Sequence, residues 1–282
     1  GPLLALGVNA PFFPPDLYDE APDAEIVADA HMENRIGVFE SVLNPPEDHE
    51  EDPKVCFPPD FDTVEDAIDA VADDRCIVPT DVTTGNRFDD QFGHFRHKYG
   101  SYWRWIRPVF DGATQSQANA RIEFRPLPAQ PTIRDSVAFE AVFAGLMESL
   151  RRREHPVRAL DWETAKENFY AATRDGLQAD IEWITRDGAE TTRIDEICHE
   201  LFEFARDGLE TRGLSTEQAR EYIRPLRERL DRRTTPARWK HERVHASVEA
   251  GVPLAEAIWG MQAEYVERQS ETLIEGSFVD WF

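Results

Sequence analysis

The sequence is poor in lysine. Its 282 residues include 55 acidic and 31 basic ones, and only four of the basic residues are lysines, at positions 54, 98, 166 and 240. The net charge of −24 repels nucleic acid and anionic membranes, so neither is expected as a partner. An acidic, lysine-poor surface is typical of proteins that stay soluble at high salt, where ions screen like charges. We therefore expect a halophilic protein, with an ordinary acidic protein as the alternative.

Cysteines, long apolar runs and nucleotide-binding glycine loops are also scarce. Cys56, Cys76 and Cys198 lie far apart without a CxxC pair, which excludes a disulfide framework and a zinc knuckle. No apolar run approaches the roughly 20 residues that span a bilayer, so a cytoplasmic protein is expected. Without a glycine-rich phosphate loop or a GxSxG motif, P-loop nucleotide binding and serine hydrolysis have no support.

The beginning of the chain predicts a fragment. Gly1 and Pro2 lead directly into the apolar residues 3–6, and no Met stands at the start. A natural start rarely coincides with the edge of a buried element. We therefore interpret the chain as the carboxyl-terminal part of a longer protein.

The first half, to about Arg153, has a strand-like pattern. Short apolar runs at residues 35–43, 76–79 and 102–110 are bounded by Pro, Asp and Gly, which predicts strands and long loops. The clearest strands are residues 102–107 and 120–125, close enough in sequence to pair. Residues 63–73 instead predict a short helix, because their apolar side chains recur at helical spacing.

From Thr132 onward the hydrophobic period becomes 3.6, which predicts helices. Three capping pairs mark helix starts: Thr132 with Asp135, Thr192 with Asp195, and Ser215 with Gln218. Further helices are predicted over residues 161–173, 177–184, 235–250 and 253–271. The pattern as a whole predicts an α+β protein with a helical second half.

Charged residues alternate along residues 120–125. Strand geometry places the three charged side chains on one face and the three apolar ones on the other, core-facing side: Arg121, Glu123 and Arg125 against Ala120, Ile122 and Phe124. A carboxylate between guanidinium groups suits magnesium-nucleotide chemistry, since the carboxylate can hold a hard cation and the guanidinium groups neutralise phosphate. Solvated strand faces show the same alternation, and the pattern alone favours that simpler interpretation.

Four segments together resemble a known family. They are residues 2–12 around Asn9, Asn34-Arg35 with Val38-Phe39, Ile122-Glu123-Phe124-Arg125 followed by Gln130-Pro131-Thr132, and Asn168-Phe169-Tyr170-Ala171-Ala172 with Arg174-Asp175-Gly176-Leu177. Their order and spacing resemble those of the plant- and bacterial-type glutamate-cysteine ligases and their carboxylate-amine ligase relatives. The resemblance covers about residues 2–180.

The resemblance implies a glutamine-synthetase-like fold, with a curved antiparallel sheet around an active-site funnel. It implies a sheet-containing catalytic portion at residues 1–155 and a helical portion at 156–282 packed on it. ATP, with Mg2+, would phosphorylate an amino-acid carboxylate, usually the γ-carboxylate of glutamate, and an amine such as cysteine would attack the acyl phosphate. The expected partners are these small molecules, and whether the chain forms a homo-oligomer is left open.

The resemblance also implies roles for individual residues. Glu123 would be a magnesium ligand, and Arg125 would clamp a phosphate or the substrate carboxylate, with Arg121 a further catalytic residue on the same face. Arg35 would bind the substrate carboxylate, and Asn9 would lie in a substrate-side loop. The family's first strands, with further carboxylate ligands, would precede Gly1.

Two departures and two other hypotheses accompany the resemblance. Pro128 stands where the family usually has Asp, and the acidic residues 16–25 replace a glycine-containing turn, which bears on amino-acid specificity more than on reaction class.

One other hypothesis is a non-catalytic binding or regulatory relative. The second is a metal-dependent hydrolase built from histidines and a nearby carboxylate, which lack His-x-x-x-His spacing: His31, Glu33, His49, His94 and His97.

Overall fold

The computed structural model describes residues 1–18, 22–45 and 53–282. Its contacts divide the chain into two compact units: unit 1 consists of Gly1–Arg35 and Leu127–Phe282, and unit 2 of Ile36–Pro126. These bounds differ from the portions 1–155 and 156–282 expected from the sequence. Unit 1 is discontinuous in sequence because the first helix, Pro2–Gly7, packs on helices of the second half.

Helices dominate the described residues, and the strands form two small antiparallel pairs. In chain order the helices are α1 (Pro2–Gly7), α2 (Asp23–Ala28), α3 (Asn34–Leu43), α4 (Val64–Asp73), α5 (Gly93–Gly100), α6 (Ile133–Arg152), α7 (Trp162–Asp175), α8 (Ile194–Thr211), α9 (Thr216–Asp231), α10 (Pro236–Glu249) and α11 (Leu254–Thr272). The strands are β1 (Ile106–Asp111), β2 (Asn119–Phe124), β3 (Trp183–Ile184) and β4 (Glu190–Thr191), paired β1–β2 and β3–β4. This combination confirms the α+β class.

Capping residues define several helix starts as predicted. The Thr132 hydroxyl accepts a hydrogen bond from the Asp135 N–H at the start of α6, and Ser215 and Gln218 form a reciprocal capping box at α9. The predicted cap at Thr192 is wrong. Arg193 precedes α8 instead, and its N–H donates to the hydroxyl of Thr191, which therefore serves the turn before the helix.

Three predicted elements have the wrong type, and one of them, the run 76–79, lies in neither a strand nor a helix. Residues 35–43 belong to α3 and are not a strand, because their larger apolar side chains recur three and four positions apart, which suits a helix. Residues 177–184 are not an α-helix: a single 3-10 turn at Gly176–Gln178 is followed by an extended segment that includes β3. Gly176, with a left-handed φ of 56°, ends α7, and the Asn168 amide pairs with both main-chain groups of Glu182 at 2.8 Å, which holds that residue before β3.

The core of unit 1 contains a close crossing of α6 and α8. A Cβ added at Gly145 would overlap the Ala205 carbonyl oxygen, and one added at Gly208 would overlap the Gly145 carbonyl oxygen. Only glycine allows these two backbones to approach so closely. Both positions therefore depend on the absence of a side chain.

A buried ion pair joins four elements of unit 1. Arg229 on α9 has no exposed side-chain surface, and its Nη2 lies 2.8 Å from Oδ1 of Asp135 on α6. Its Nη1 donates to the Leu6 carbonyl oxygen of α1 at 3.1 Å and to Gln130 Oε1 at 2.8 Å. Asp135 Oδ2 also accepts the N–H of Phe278 at 2.9 Å. One guanidinium group thereby fixes the turn that precedes α6.

Candidate functional site

The three residues predicted to be catalytic, Arg121, Glu123 and Arg125, lie on β2 or directly after it. Together with two charged residues of β1 they form a group that we name the strand cluster: Arg107, Asp111, Arg121, Glu123 and Arg125. The first predicted strand begins later than expected, at Ile106, but the predicted pairing is confirmed, with Arg107 opposite Glu123. Directly opposite residues share one face of an antiparallel pair. The Nε of Arg107 lies 2.5 Å from Glu123 Oε2, and that of Arg125 lies 3.9 Å from the same oxygen. Arg121 forms an ion pair with Asp111.

Arg107, whose side chain is 12% exposed, holds Glu123 in place. Its Nη1 donates to the carbonyl oxygens of Tyr99 at 3.0 Å and Tyr102 at 2.6 Å, and its guanidinium lies 4.6 Å from the centre of the Tyr99 ring. Burial raises the pKa of Tyr99 to about 12. Arg107 therefore cannot turn away from Glu123 without losing three other contacts. The sequence alone did not indicate this residue, although the strand pairing could have done so.

The opposite face of β2 is not the core face predicted from the alternation. Ala120 and Ile122 are exposed, and only Phe124 is half-buried. Burial increases along the strand from Asn119 to Phe124, because the exposed residues lie at the end of the hairpin next to its connection. Position along the strand, more than the alternation of its faces, decides burial here.

The strand cluster combines guanidinium groups, which are phosphate-binding groups, with one carboxylate of the kind that binds magnesium. The side chains of Arg121 and Arg125 are 56% and 35% exposed on the face that carries Glu123, and guanidinium groups bind phosphate in a fixed fork geometry. Magnesium is usually held by one or two carboxylates together with substrate phosphates and water. Glu123, 38% exposed, fits as one such ligand.

A complete protein-only metal site is not found in the described ranges. No group of three His, Cys, Asp or Glu side chains there is close enough to hold a metal ion. The histidine cluster considered from the sequence is therefore not formed by His31, His94 and His97, and His49 lies outside the described residues.

Unit 1 contains a second polar group, which we name the Asn9 cluster: Asn9, Glu33, Arg35, Lys240 and Tyr265. Glu33 Oε2 accepts the N–H of Asn9 at 3.0 Å, and Oε1 accepts from the Nε of Arg35 at 3.3 Å. The Nζ of Lys240 donates to the Asn9 carbonyl oxygen at 2.8 Å and lies 4.1 Å from the centre of the Tyr265 ring. The two residues predicted on the substrate side, Asn9 and Arg35, thus meet at one carboxylate.

Burial perturbs both charged partners in the Asn9 cluster. It raises the pKa of Glu33, against the hydrogen bond from the Asn9 N–H and the charge of Arg35. It lowers the pKa of Lys240 to about 8, against the charge of Glu33. Each charge therefore reduces the cost of burying the other. From the sequence, Glu33 was expected only as a possible metal ligand, and Lys240 only as part of a basic helix face at residues 239–243.

The two clusters lie in different units of the chain. The strand cluster belongs wholly to unit 2, and the Asn9 cluster wholly to unit 1. Each contains residues of the sequence motifs described above. Within the described part of the chain, every helix is too short or too polar to cross a lipid bilayer.

Comparison with known families identifies the chain. The model of glutamate-cysteine ligase family 2 (GCS2) matches residues 1–272. The chain belongs to this family. The match confirms the resemblance carried by the four sequence motifs, and GCS2 membership indicates a ligase. A search of curated proteins finds no significant match to this GCS2 chain.

Proposed function

We propose that this GCS2 protein is an ATP-dependent carboxylate-amine ligase. The substrate carboxylate would belong to an amino acid, with the γ-carboxylate of glutamate as the expected one, and the amine would be one such as cysteine. Family membership supports the ligase class. The observation that carries the proposed site is the charged face of β2, on which Glu123 is held by Arg107 beside Arg121 and Arg125.

The reaction has two steps that this face can assist. The carboxylate first attacks the γ-phosphorus of ATP, giving an acyl phosphate and ADP, and the amine then attacks the acyl carbon and displaces phosphate. Catalysis of such phosphoryl transfer depends mainly on positioning and on stabilising developing negative charge. Arg121 and Arg125 would neutralise phosphate oxygens. Mg2+ would supply further charge neutralisation at the phosphates, with Glu123 as one of its ligands.

The Asn9 cluster would bind the amino-acid substrate. Arg35, whose side chain is 29% exposed, would bind the carboxylate of that substrate. Asn9 would lie beside it, because both residues hydrogen-bond to Glu33. This assignment follows from the family motifs and is supported by the geometry within unit 1.

The proposal extends to fold and environment. We propose that β1 and β2 belong to a glutamine-synthetase-like curved sheet, which is supported by their antiparallel pairing and their place in the family motif. We also propose a halophilic, cytoplasmic protein, because a net charge of −24 with so few lysines suits a concentrated salt solution.

The decisive experiment measures ATP turnover by the full-length protein in molar KCl with Mg2+, glutamate and a panel of amines. Glu123→Gln should lower kcat at least about a hundredfold, a loss typical of removing a preorganised electrostatic group, and leave the circular dichroism spectrum unchanged. Glu65→Gln, at an exposed position of α4 in the same unit, is the matched control and should keep full activity. Full turnover by Glu123→Gln would refute the assignment.

A non-catalytic binding relative is the second candidate. It is favoured by the ion pair between Glu123 Oε2 and the Arg107 Nε, 2.5 Å apart, which engages the carboxylate proposed to bind Mg2+. Glutamate and ATP would then bind to the full-length protein without turnover with any amine. Calorimetric binding measured beside the turnover assay separates the two candidates.

A further inference from the structure

We infer that Glu33 is a positioning residue for the amino-acid substrate: one buried carboxylate orients the Arg35 guanidinium with Oε1 and the Asn9 main chain with Oε2. The inference rests on the proposed function, since Asn9 and Arg35 are substrate residues only within it. None of the four family motifs quoted from the sequence indicates this role for Glu33.

The burial of Glu33 requires such partners. Its side chain has no exposed surface. A buried carboxylate is costly unless its oxygens are paired and hydrogen-bonded. Both oxygens are used, and both donors belong to residues predicted on the substrate side: the Arg35 Nε at 3.3 Å and the Asn9 N–H at 3.0 Å. The carboxylate therefore links these two residues directly.

The main chain fixes Glu33 itself. Its N–H donates to the Thr173 carbonyl oxygen at 2.8 Å, near the end of α7, and the Met32 N–H donates to the Arg174 carbonyl oxygen at 3.1 Å. On the other side, the Ala10 N–H donates to the Met32 carbonyl oxygen at 3.2 Å. The segment that carries Glu33 is thus held by α7 and by the segment that carries Asn9. A carboxylate on so constrained a backbone can set the position of other groups.

The remaining polar groups of Asn9 are fixed by neighbouring elements. Its carbonyl oxygen accepts from Lys240, and its Nδ2 donates to the Ala129 carbonyl oxygen at 2.8 Å and to the Tyr265 hydroxyl at 3.0 Å. Oδ1, which has no partner among the described residues, is buried as well. Glu33 therefore fixes the main chain of Asn9, while Ala129 and Tyr265 hold its side chain.

Replacing the carboxylate by an amide breaks this arrangement without changing its shape. In Glu33→Gln one oxygen becomes an NH2 group, which donates and cannot accept. Either the Asn9 N–H or the Arg35 Nε then faces a second donor, and the negative charge beside Lys240 is lost. Only one of the two substrate residues keeps its orientation.

The test compares kinetic constants of the full-length protein. Glu33→Gln should raise the KM for glutamate about tenfold, which is the cost of about one charged hydrogen bond, while the KM for ATP stays within about twofold. A purely structural role would instead lower the active fraction, and so kcat, without selecting one substrate. Glu25→Gln, at an exposed position of α2 in the same unit, is the matched control and should change neither constant.

Two further measurements cover the remaining outcomes. If Glu33→Gln does not fold, Glu33→Asp carries the same test, because a shorter carboxylate cannot reach both donors, and an unchanged KM for glutamate overturns the inference. Calorimetric affinity for glutamate without ATP gives a readout independent of turnover. If the wild type binds glutamate and Glu33→Gln binds it equally well, the inference is wrong and the proposed function stands. If the wild type neither binds nor turns over glutamate, both are wrong.

Discussion

Removal of the Arg229 guanidinium is the most direct test of how unit 1 is held together. Arg229→Met keeps an unbranched apolar stem but deletes a charge that has no exposed surface. Asp135 Oδ1 loses the cation at 2.8 Å, and the Leu6 carbonyl and Gln130 Oε1 lose the Nη1 donor. Asp135 is left as a buried charge with hydrogen bonds only at Oδ2, from the Thr132 hydroxyl and the Phe278 N–H.

The expected loss is large relative to the stability of a domain. Removing one partner of a buried ion pair costs about 3–5 kcal/mol, because the other charge remains buried and unpaired. A typical domain unfolds with a free energy of only about 5–15 kcal/mol. Burial lowers the pKa of Arg229, and Asp135 opposes this effect, which supports a charged pair. Most of the lost free energy of unfolding should therefore come from Asp135, whose charge is left buried without its partner.

The assay is urea unfolding at constant molar KCl, followed by tryptophan fluorescence. Arg229→Met should lower the free energy of unfolding by about 3–5 kcal/mol. Adding Asp135→Asn removes the unpaired charge, so the double variant should be more stable than Arg229→Met alone. Arg220→Met, at an exposed position of α9, is the control and should change stability by no more than about 0.5 kcal/mol.

Two outcomes would refute this account of the ion pair. One is a loss of less than about 1 kcal/mol in Arg229→Met, which would mean that Asp135 finds other compensation. The other is a double variant whose loss equals the sum of the losses measured in Arg229→Met alone and in Asp135→Asn alone. That sum would show that the charges contribute independently and are not coupled across 2.8 Å.

Three further predictions concern packing, pH and salt. Gly208→Val should lower the free energy of unfolding by at least about 2 kcal/mol, because its side chain would overlap the Gly145 carbonyl oxygen, whereas Gly260→Ala, in open space on α11, should stabilise by about 0.5–1 kcal/mol in the same urea titrations. The folded-state pKa of Lys240, about 8, lies below its ordinary 10.5, so unfolding takes up a proton between those values. The free energy of unfolding should therefore rise with pH in this range. Between about pH 7.5 and 9.5 it should rise by about 2 kcal/mol more in the wild type than in Lys240→Met. If the free energies of unfolding of the two proteins change with pH in parallel, the burial of this amine is contradicted. Lowering KCl from about 2 M to 0.1 M should decrease the urea concentration at the unfolding midpoint, since the repulsion between acidic side chains is then less screened. An unchanged midpoint would argue against a halophilic protein.

Local signals in the sequence predicted local structure well. The cap at Ser215 needs only Gln218, three residues away, and both lie where the sequence indicated. The β1–β2 pairing likewise depends on a short connection between two strands. Such features involve neighbours in sequence, so no knowledge of the rest of the fold is required.

Features that depend on distant residues could not be predicted in this way. The run 177–184 has helix-like apolar spacing, yet Gly176 ends the preceding helix and Asn168 binds the main chain of Glu182. Burial on β2 also departed from its alternation, since Ile122 is 41% exposed near the end of the hairpin. In both cases a contact or a position in the tertiary structure outweighed the periodicity.

The sequence by itself determined the family motifs, the α+β class and the charged face that carries Arg121, Glu123 and Arg125, because alternation along a strand fixes which side chains share a face. Only the tertiary structure decided which partners hold these residues. Lys240 reaches the Asn9 carbonyl oxygen across 231 positions of sequence, and Glu33 reaches the Asn9 N–H across 24. A buried charge is stable only beside its counter-charge, and folding alone brings such distant partners together.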